Sequence, residues 1–498
     1  MNFSSSSLPI SPRIEPHVWR IAIVVILGAI MSVLDTTIVN VALDDLSIDL
    51  HSSLDSIQWV VTGYLLALAA VIPVTGWAAR RFGSRRLYLV ALVAFTLGSA
   101  LCGLAWSTGS LVAFRVIQGV GGGMLMPIGQ MILVKAAGPR NLPRVMAAIG
   151  VPIILAPVFG PTIGGLLLEH AGWQWIFLVN VPIGAIALVT ALRLLPRDQP
   201  EEAGSLDLIG LVLVATGLVG VTYGLAESGS AGSLTDASVL VPALAGVALI
   251  VAFVLRALRI PAPLLDMRLY KDKAFAAASL TTFCLGAALF GAMILMPLYF
   301  QTVRGEDAVT TGLLLMPQGI GAAIAMRLSA VATERWGGGL TALMGGMVTV
   351  VATVPFVLIS GGTSYWLIGA AMVFRGFGIG MSMMPSMTAA FAVLRPDQIN
   401  HATPQLNVLQ RVGGSVGTAI LSVVLSNHLS AAATAAGSHP SVDAAAGAFG
   451  DTYVWVLGVT AFALLPTALL ALVERAARVV GHEPAVGPAA ELELEAAA

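Results

Sequence analysis

The sequence predicts an all-α membrane protein of 14 transmembrane helices arranged 6 + 2 + 6, two six-helix bundles with two helices inserted between them. Three observations carry this. Charged residues make up only 10% of the 498, against about 25% in a soluble domain. Apolar runs of roughly 20 residues, the length that crosses a bilayer, recur along the whole chain. The basic residues fall almost entirely into alternate connections. The same composition excludes other classes. A balance of 25 basic against 26 acidic residues leaves no basic face for nucleic acid. Two cysteines, Cys102 and Cys284, both inside apolar runs, do not make a disulfide scaffold.

The runs cover 18–43, 57–79, 87–106, 110–134, 144–168, 173–195, 206–226, 237–257, 275–300, 309–330, 339–359, 364–394, 402–430 and 452–473. The first lacks the small-residue cleavage pattern of a signal peptide and is too long for its apolar region, so it counts as a helix. With the N-terminus inside, all but four of the 25 basic residues lie on the cytoplasmic side. Arg304 lies outside, and Arg115, Arg375 and Arg411 lie within helices. An even count returns the C-terminus to the cytoplasm. One helix more or fewer would swap every later loop and destroy the separation. The scarcity of Lys and abundance of Ala suggest a GC-rich bacterial genome, and so a bacterial cytoplasmic (inner) membrane.

The two halves echo each other. Gly76, Arg80, Arg81, Phe82 and Gly83 after the second helix correspond to Ala330, Glu334, Arg335, Trp336 and Gly337 after the tenth, an offset of 254 from residue 76 to residue 330. Arg115 in the fourth helix corresponds to Arg375 in the twelfth, an offset of 260. Six spanning helices with short loops need only about 190 residues, so two more separate the halves. The chain divides into an N-terminal tail (1–17), a first bundle (18–197), the inserted pair (198–260), a second bundle (261–475) and a disordered C-terminal tail (476–498). Each chain holds both halves of a pathway, so a monomer is expected. Repeated bundles with a site at their interface are a transporter plan, because rocking one against the other exposes that site alternately.

Polar stripes mark where such a site would lie. The first helix carries Gly28, Ser32, Asp35, Thr36 and Asn40 on one face at 3.6 residues per turn. Asp35 is the acid well inside a span, nine residues before Asp44, hence about 13 Å deep at 1.5 Å per residue. An ionised Asp at such depth costs about 2.5–3.5 kcal/mol. It is therefore either a carboxylate that exchanges protons or one fixed in a structural network, such as a pair with Arg115. The fourth helix aligns Arg115, Gln118, Gly119 and Gly122. Arg115 either locks the bundle or stabilises the Asp35 charge in one conformation and releases it in another, and the glycines serve close packing. In the second half Asn407, Gln410, Arg411, Gly414, Ser415 and Thr418 share a face, and Arg375, Gly378 and Ser382 share another. Both stripes are candidates to line a cavity, with a contact to gate carbonyls as the other reading of Arg411. Met293, Met296, Met316, Met381, Met383, Met384 and Met387 either repack around varied apolar guests or form ordinary core.

Other chemistry finds no support. No GxxxxGK[ST] occurs, and the loops leave no room for a soluble catalytic or nucleotide-binding domain. No His lies mid-helix for a proton relay, and neither CxxC nor HExxH is present, so no metal or other cofactor is expected. The chain does not read as an enzyme.

These residues resemble the major facilitator superfamily, specifically its 14-helix drug:proton antiporter branch, over residues 18 to about 473. Leu34-Asp35-Thr36-Thr37-Ile38-Val39-Asn40-Val41-Ala42-Leu43 is similar to that branch's first-helix signature. Arg115-Val116-Ile117-Gln118-Gly119 resembles the motif linked to proton coupling. Gly160 and Pro161 with Gly164 and Gly165, preceded by Gly150 and Pro157, resemble the antiporter motif of the fifth helix. Trp173-Gln174-Trp175-Ile176-Phe177, then Asn180, Pro182 and Gly184, is similar to the branch's sixth-helix entry. The loop after the second helix fits the gate motif by Gly76, Gly83, Arg85 and Arg86. It departs where an acid is usual, because Arg80 stands there, which puts the cytoplasmic latch in doubt. Arg81 and Glu334 are candidates for a modified latch.

The resemblance implies proton-coupled export of lipophilic compounds, cationic ones included, by alternating access, driven by the proton gradient without a cofactor. Asp35 and Arg115 are the expected coupling residues. Ser32, Thr36, Asn40, Gln118, Met293, Arg375, Asn407, Gln410 and Arg411 are the expected cavity residues. An exporter of an endogenous metabolite or lipid would share these features. A membrane sensor that binds without transporting is the reading from another class.

Overall fold

The computed structural model describes residues 15–198, 200–201, 203–436 and 441–479. Most of the predicted N-terminal tail, and the C-terminal tail from residue 480, lie outside the described residues. Inside the helices the same holds for a few side chains, among them those of Pro157 and Pro161. Among the described residues the chain is helical throughout, with 13 helices long and apolar enough to span a membrane. They are α1 (Pro16–Asp49), α2 (Ser56–Phe82), α3 (Ser84–Gly103), α4 (Thr108–Gly138), α6 (Gln174–Leu194), α7 (Leu208–Gly229), α8 (Ala237–Arg259), α9 (Lys273–Val303), α10 (Val309–Trp336), α11 (Gly338–Val357), α12 (Tyr365–Ala392), α13 (Ile399–Ala435) and α14 (Val442–Ala476). The remaining predicted helix, 144–168, is the second limb of the continuous run Thr108–Ala171. That run breaks at Gly138, whose φ of 63° and ψ of 173° leave the helical region. A positive φ is open to glycine at little steric cost. Residues 139–171 are α5.

Local signals set the ends. Ser107 and Ser110 form a reciprocal capping box at the start of α4, Asp272 caps α9 through the amides of Ala274 and Phe275, and Asp307 caps α10 through that of Thr310. The backbone amide of Thr310 holds the exposed Asp307 carboxyl below the usual carboxylate range. Gly83, at φ 87°, reverses the chain between α2 and α3.

Helices α1 to α6 pack on one another, as do α9 to α14. The two sets meet where α4 and α5 face α10 and α12, and where α2 and α4 face α13. Of the inserted pair, α7 packs on α2 and on α13, while α8 packs chiefly on α7. Val214 and Leu218 of α7 share a core with Phe253 and Ala257 of α8, backed by Ala69, Val74 and Trp77 from α2 and Val408 and Val412 from α13. Trp59 and Tyr223 stack with ring centroids 5.8 Å apart. Helix α7 thus touches both halves.

Candidate functional site: a buried ion pair in the first half

Asp35 sits at the centre of a cluster drawn from five helices, with no solvent exposure. Arg115 Nη1 of α4 donates to Asp35 Oδ2 at 2.6 Å. Gln118 Nε2, one turn on, donates to Asp35 Oδ1 at 2.8 Å, and Asn180 Nδ2 of α6 donates to the same oxygen at 3.1 Å. Arg115 spends its other donors on the carbonyl of Val60 (3.0 Å) and on Gln118 Oε1 (2.8 Å). Ser99 of α3 receives Gln118 and Asn180 and donates to the carbonyl of Phe177 at 2.8 Å. The Tyr64 ring of α2 lies 4.1 Å from the guanidinium carbon of Arg115, a cation–π contact.

Close helix approach makes the cluster possible. A Cβ on Gly98 would stand 2.8 Å from the Gln118 backbone, and one on Gly119 would stand 2.6 Å from the Tyr64 carbonyl. Chemically, the pair hides one negative and one positive charge and satisfies both carboxylate oxygens. A buried pair of this kind holds together only while both partners keep their charge.

Of the two arrangements the sequence left open for Asp35, this conformation has the pair with Arg115. Ser32 and Gln118, expected in a cavity, lie in the interior of the first half. Ser32 is buried beside the Tyr64 hydroxyl, at 3.5 Å. Thr36 back-bonds to the carbonyl of Val33 at 2.6 Å, and Asn40 is exposed. In the second half Arg375 is 2% exposed and donates Nη1 to Gln318 Oε1 at 3.1 Å. Among the described residues its Nε finds no hydrogen-bond partner, and neither does the buried hydroxyl of Tyr453. Met293, Gln410 and Arg411 are partly buried. Asn407 Nδ2 crosses to the other half, donating to Gln130 Oε1 of α4 at 2.7 Å.

The gate residues gather at the end carrying the basic loops. Gly76 lies against the backbone carbonyl of Asn400, with no room for a side chain between α2 and α13. Glu334 pairs with Arg144 of α5 at 2.6 Å, so its strong partner is not the exposed Arg81. The acid missing at Arg80 is supplied from the segment after α6. Asp198 takes the backbone amides of Ser84 and Arg85. Glu201 accepts from Lys135 at 3.1 Å and from Asn400 Nδ2 at 3.4 Å, and its amide donates to the carbonyl of Arg80 at 2.8 Å. Arg85 Nη2 reaches the carbonyl of Leu192 at 2.7 Å, while Arg86 is exposed. In the antiporter motif, Gly160 packs on Thr37 and Gly164 on Ile38 of α1, and Gly165 is partly buried.

Sequence reasoning missed Tyr64, Ser99, Gln130, Arg144, Asp198 and Glu201 as members of these networks. Tyr64 and Ser99 are isolated polar residues inside apolar runs, a signal that was available. Asp198 and Glu201 carried none.

The Major Facilitator Superfamily model matches residues 25–418. The chain belongs to that superfamily. Among its relatives, the Multidrug resistance protein B homolog of Mycobacterium tuberculosis is 42% identical over 429 residues, covering 85% of this chain and 79% of the relative. The Methylenomycin A resistance protein of Streptomyces coelicolor is 32% identical over 402 residues, 80% of this chain and 84% of that one. The crystal structure of the human organic anion transporter MFSD10 superposes with a TM-score of 0.60 at 16% identity, covering 92% of this chain and 100% of that chain. At that identity the likeness is one of fold. This superfamily member is a multi-pass membrane protein of transporter type, and the recognition drawn from its motifs stands.

Proposed function

We propose that the protein is a proton-coupled exporter of lipophilic compounds that works by alternating access, with Asp35 as the coupling carboxylate. The observation that carries this reading is the Asp35 cluster, one acid fully buried and saturated by Arg115, Gln118 and Asn180. Protonating Asp35 removes the charge that holds Arg115, and the freed guanidinium then needs another acceptor. That is a two-state element joining α1, α2, α3, α4 and α6.

The donors to Asp35 in this conformation all come from its own half. Both termini face the cytoplasm by the placement of basic residues. The conformation described is then closed on the cytoplasmic side by the contacts Gly76 to Asn400, Asn407 to Gln130 and Arg144 to Glu334. One proton crossing 100 mV gains about 2.3 kcal/mol, roughly a fiftyfold concentration ratio, so one proton per cycle sustains useful export without a cofactor.

The test is drug-triggered proton movement in energised inverted vesicles, with the neutral dye N-phenyl-1-naphthylamine as cargo. Dye accumulation should dissipate the pH gradient, and Asp35→Asn should abolish that link. Full proton-coupled accumulation by Asp35→Asn would overturn the assignment of the coupling site.

A further inference from the structure

The reading above leaves the charge of the cargo open, and the buried residues bear on it. Among the described residues, the Asp, Glu, Lys and Arg side chains buried within the spanning helices and away from the basic end are Asp35, Arg115 and Arg375. Asp35 already accepts from Arg115, Gln118 and Asn180, and the guanidinium of Arg115 answers its charge. Arg375 faces the neutral amide of Gln318, and among the described residues no carboxylate pairs with it.

Arg411 adds a third guanidinium. It lies 12 residues into α13, about 18 Å along the helix from Ile399. Asn407 lies one turn earlier on the same face and bonds to Gln130 of the first half, so this face looks across the seam. The Arg411 side chain is partly exposed and, among the described residues, makes neither a hydrogen bond nor an ion pair.

We infer that Arg411 is the head-group site for the cargo and that the preferred cargo is an amphipathic anion, a carboxylate, sulfonate or phenolate on an apolar body. This rests on the export reading and sharpens it. A guanidinium fork matches a planar or tetrahedral oxyanion with parallel donors, and it keeps its proton at any working pH. A cation entering the seam meets a positive excess and a carboxylate already neutralised. An anion meets an unpaired partner.

Flexible side chains line the other contact between the halves, where Met326 of α10 and Met384 of α12 lie against Gly150 of α5. An anion leaving while a proton enters moves two charges per cycle.

Tetraphenylborate and tetraphenylphosphonium share a shape and differ in the sign of their charge, so they test the site directly. Equilibrium binding of each is measured on the full chain in lipid nanodiscs, for wild type, Arg411→Gln and Arg411→Lys, with empty nanodiscs subtracted. Wild type should bind the borate about tenfold tighter than the phosphonium or better. Arg411→Gln should erase that preference and Arg411→Lys should keep most of it, which separates charge from fold. Equal binding of the two ions, tighter binding of the phosphonium, or a preference that survives in Arg411→Gln would overturn the proposal. Borate binding without any proton-coupled flux in vesicles would overturn the export reading and leave the anion site standing. Coupled flux with a preference for the phosphonium would overturn the site alone.

Discussion

The two halves of the molecule carry corresponding arginines in opposite company. Arg115 has a carboxylate, an amide oxygen, a backbone carbonyl and an aromatic face, and every one of those partners is buried. Arg375, at the repeat-related position, has one amide oxygen, and among the described residues its Nε finds no partner. One backbone plan therefore supports a neutralised buried charge in the first half and a buried charge without a carboxylate partner in the second. The difference separates the work of the halves: the first holds a pair that a proton can open, and the second offers positive charge without a built-in answer. Repeat symmetry fixes where a charged side chain lies, and the local partners fix what it does.

The largest expected effect breaks the first half. Asp35→Ala leaves Arg115 buried and unpaired, which should cost about 3–5 kcal/mol and appear as a large drop in melting temperature along with loss of coupled export. The double change Asp35→Asn with Arg115→Gln should recover most of the stability and none of the coupling. If stability fails to return, the cost lay in packing rather than charge.

Next comes the seam between the halves. Asn407→Ala leaves Gln130 Oε1 without its donor in a buried contact, at about 1–3 kcal/mol to the closed state. Spin labels on the basic loops of the two halves should then report a longer mean distance, and an unchanged distance would remove Asn407 from the gate.

A smaller effect should make the halves more alike. Gln318→Glu places a carboxylate beside Arg375, and the charge-assisted bond should raise stability by about 1 kcal/mol, measured by chemical denaturation in lipid. A loss would mean that the groups around Arg375 do not tolerate neutralisation. Smallest is Arg144→Gln, which breaks a partly exposed pair with Glu334 and should cost about 0.2–1 kcal/mol. That difference should shrink as salt is raised.

Much of this was legible in the residues. The apolar runs give the existence and order of the helices, because bilayer thickness sets the length of the apolar stretch, while ends that project beyond it were missed: the last helix starts at Val442, ten residues before the run from 452. The pairing of Asp35 with Arg115 could be named as one of two possibilities, since a charge so deep must find a partner or lose its charge. Which possibility holds in this conformation was not legible, because helix periodicity gives the face of α1 and not the direction in which that face looks. Ser32 and Gln118 illustrate this, sharing stripes with cavity candidates yet turning into the first half. The latch was illegible for another reason. Lys135, Asp198, Glu201 and Asn400 come from three separate stretches of chain, and only the fold brings them together. Glu334 and Arg144 lie 190 residues apart and meet in the same way.

Helix α7, which rests on α2 and on α13 at once, has a mechanical consequence. A tilt of one half relative to the other cannot leave this helix in place against both. It must roll between them like a bearing or stay with one half and slide along the other. The stacked rings of Trp59 and Tyr223 tie it to the first half, so sliding would occur along α13, the helix that bears Asn407 and Arg411. The added hairpin therefore lies on the path of travel itself, and lipids or small molecules that stiffen its outer surface would slow the cycle without reaching the interior.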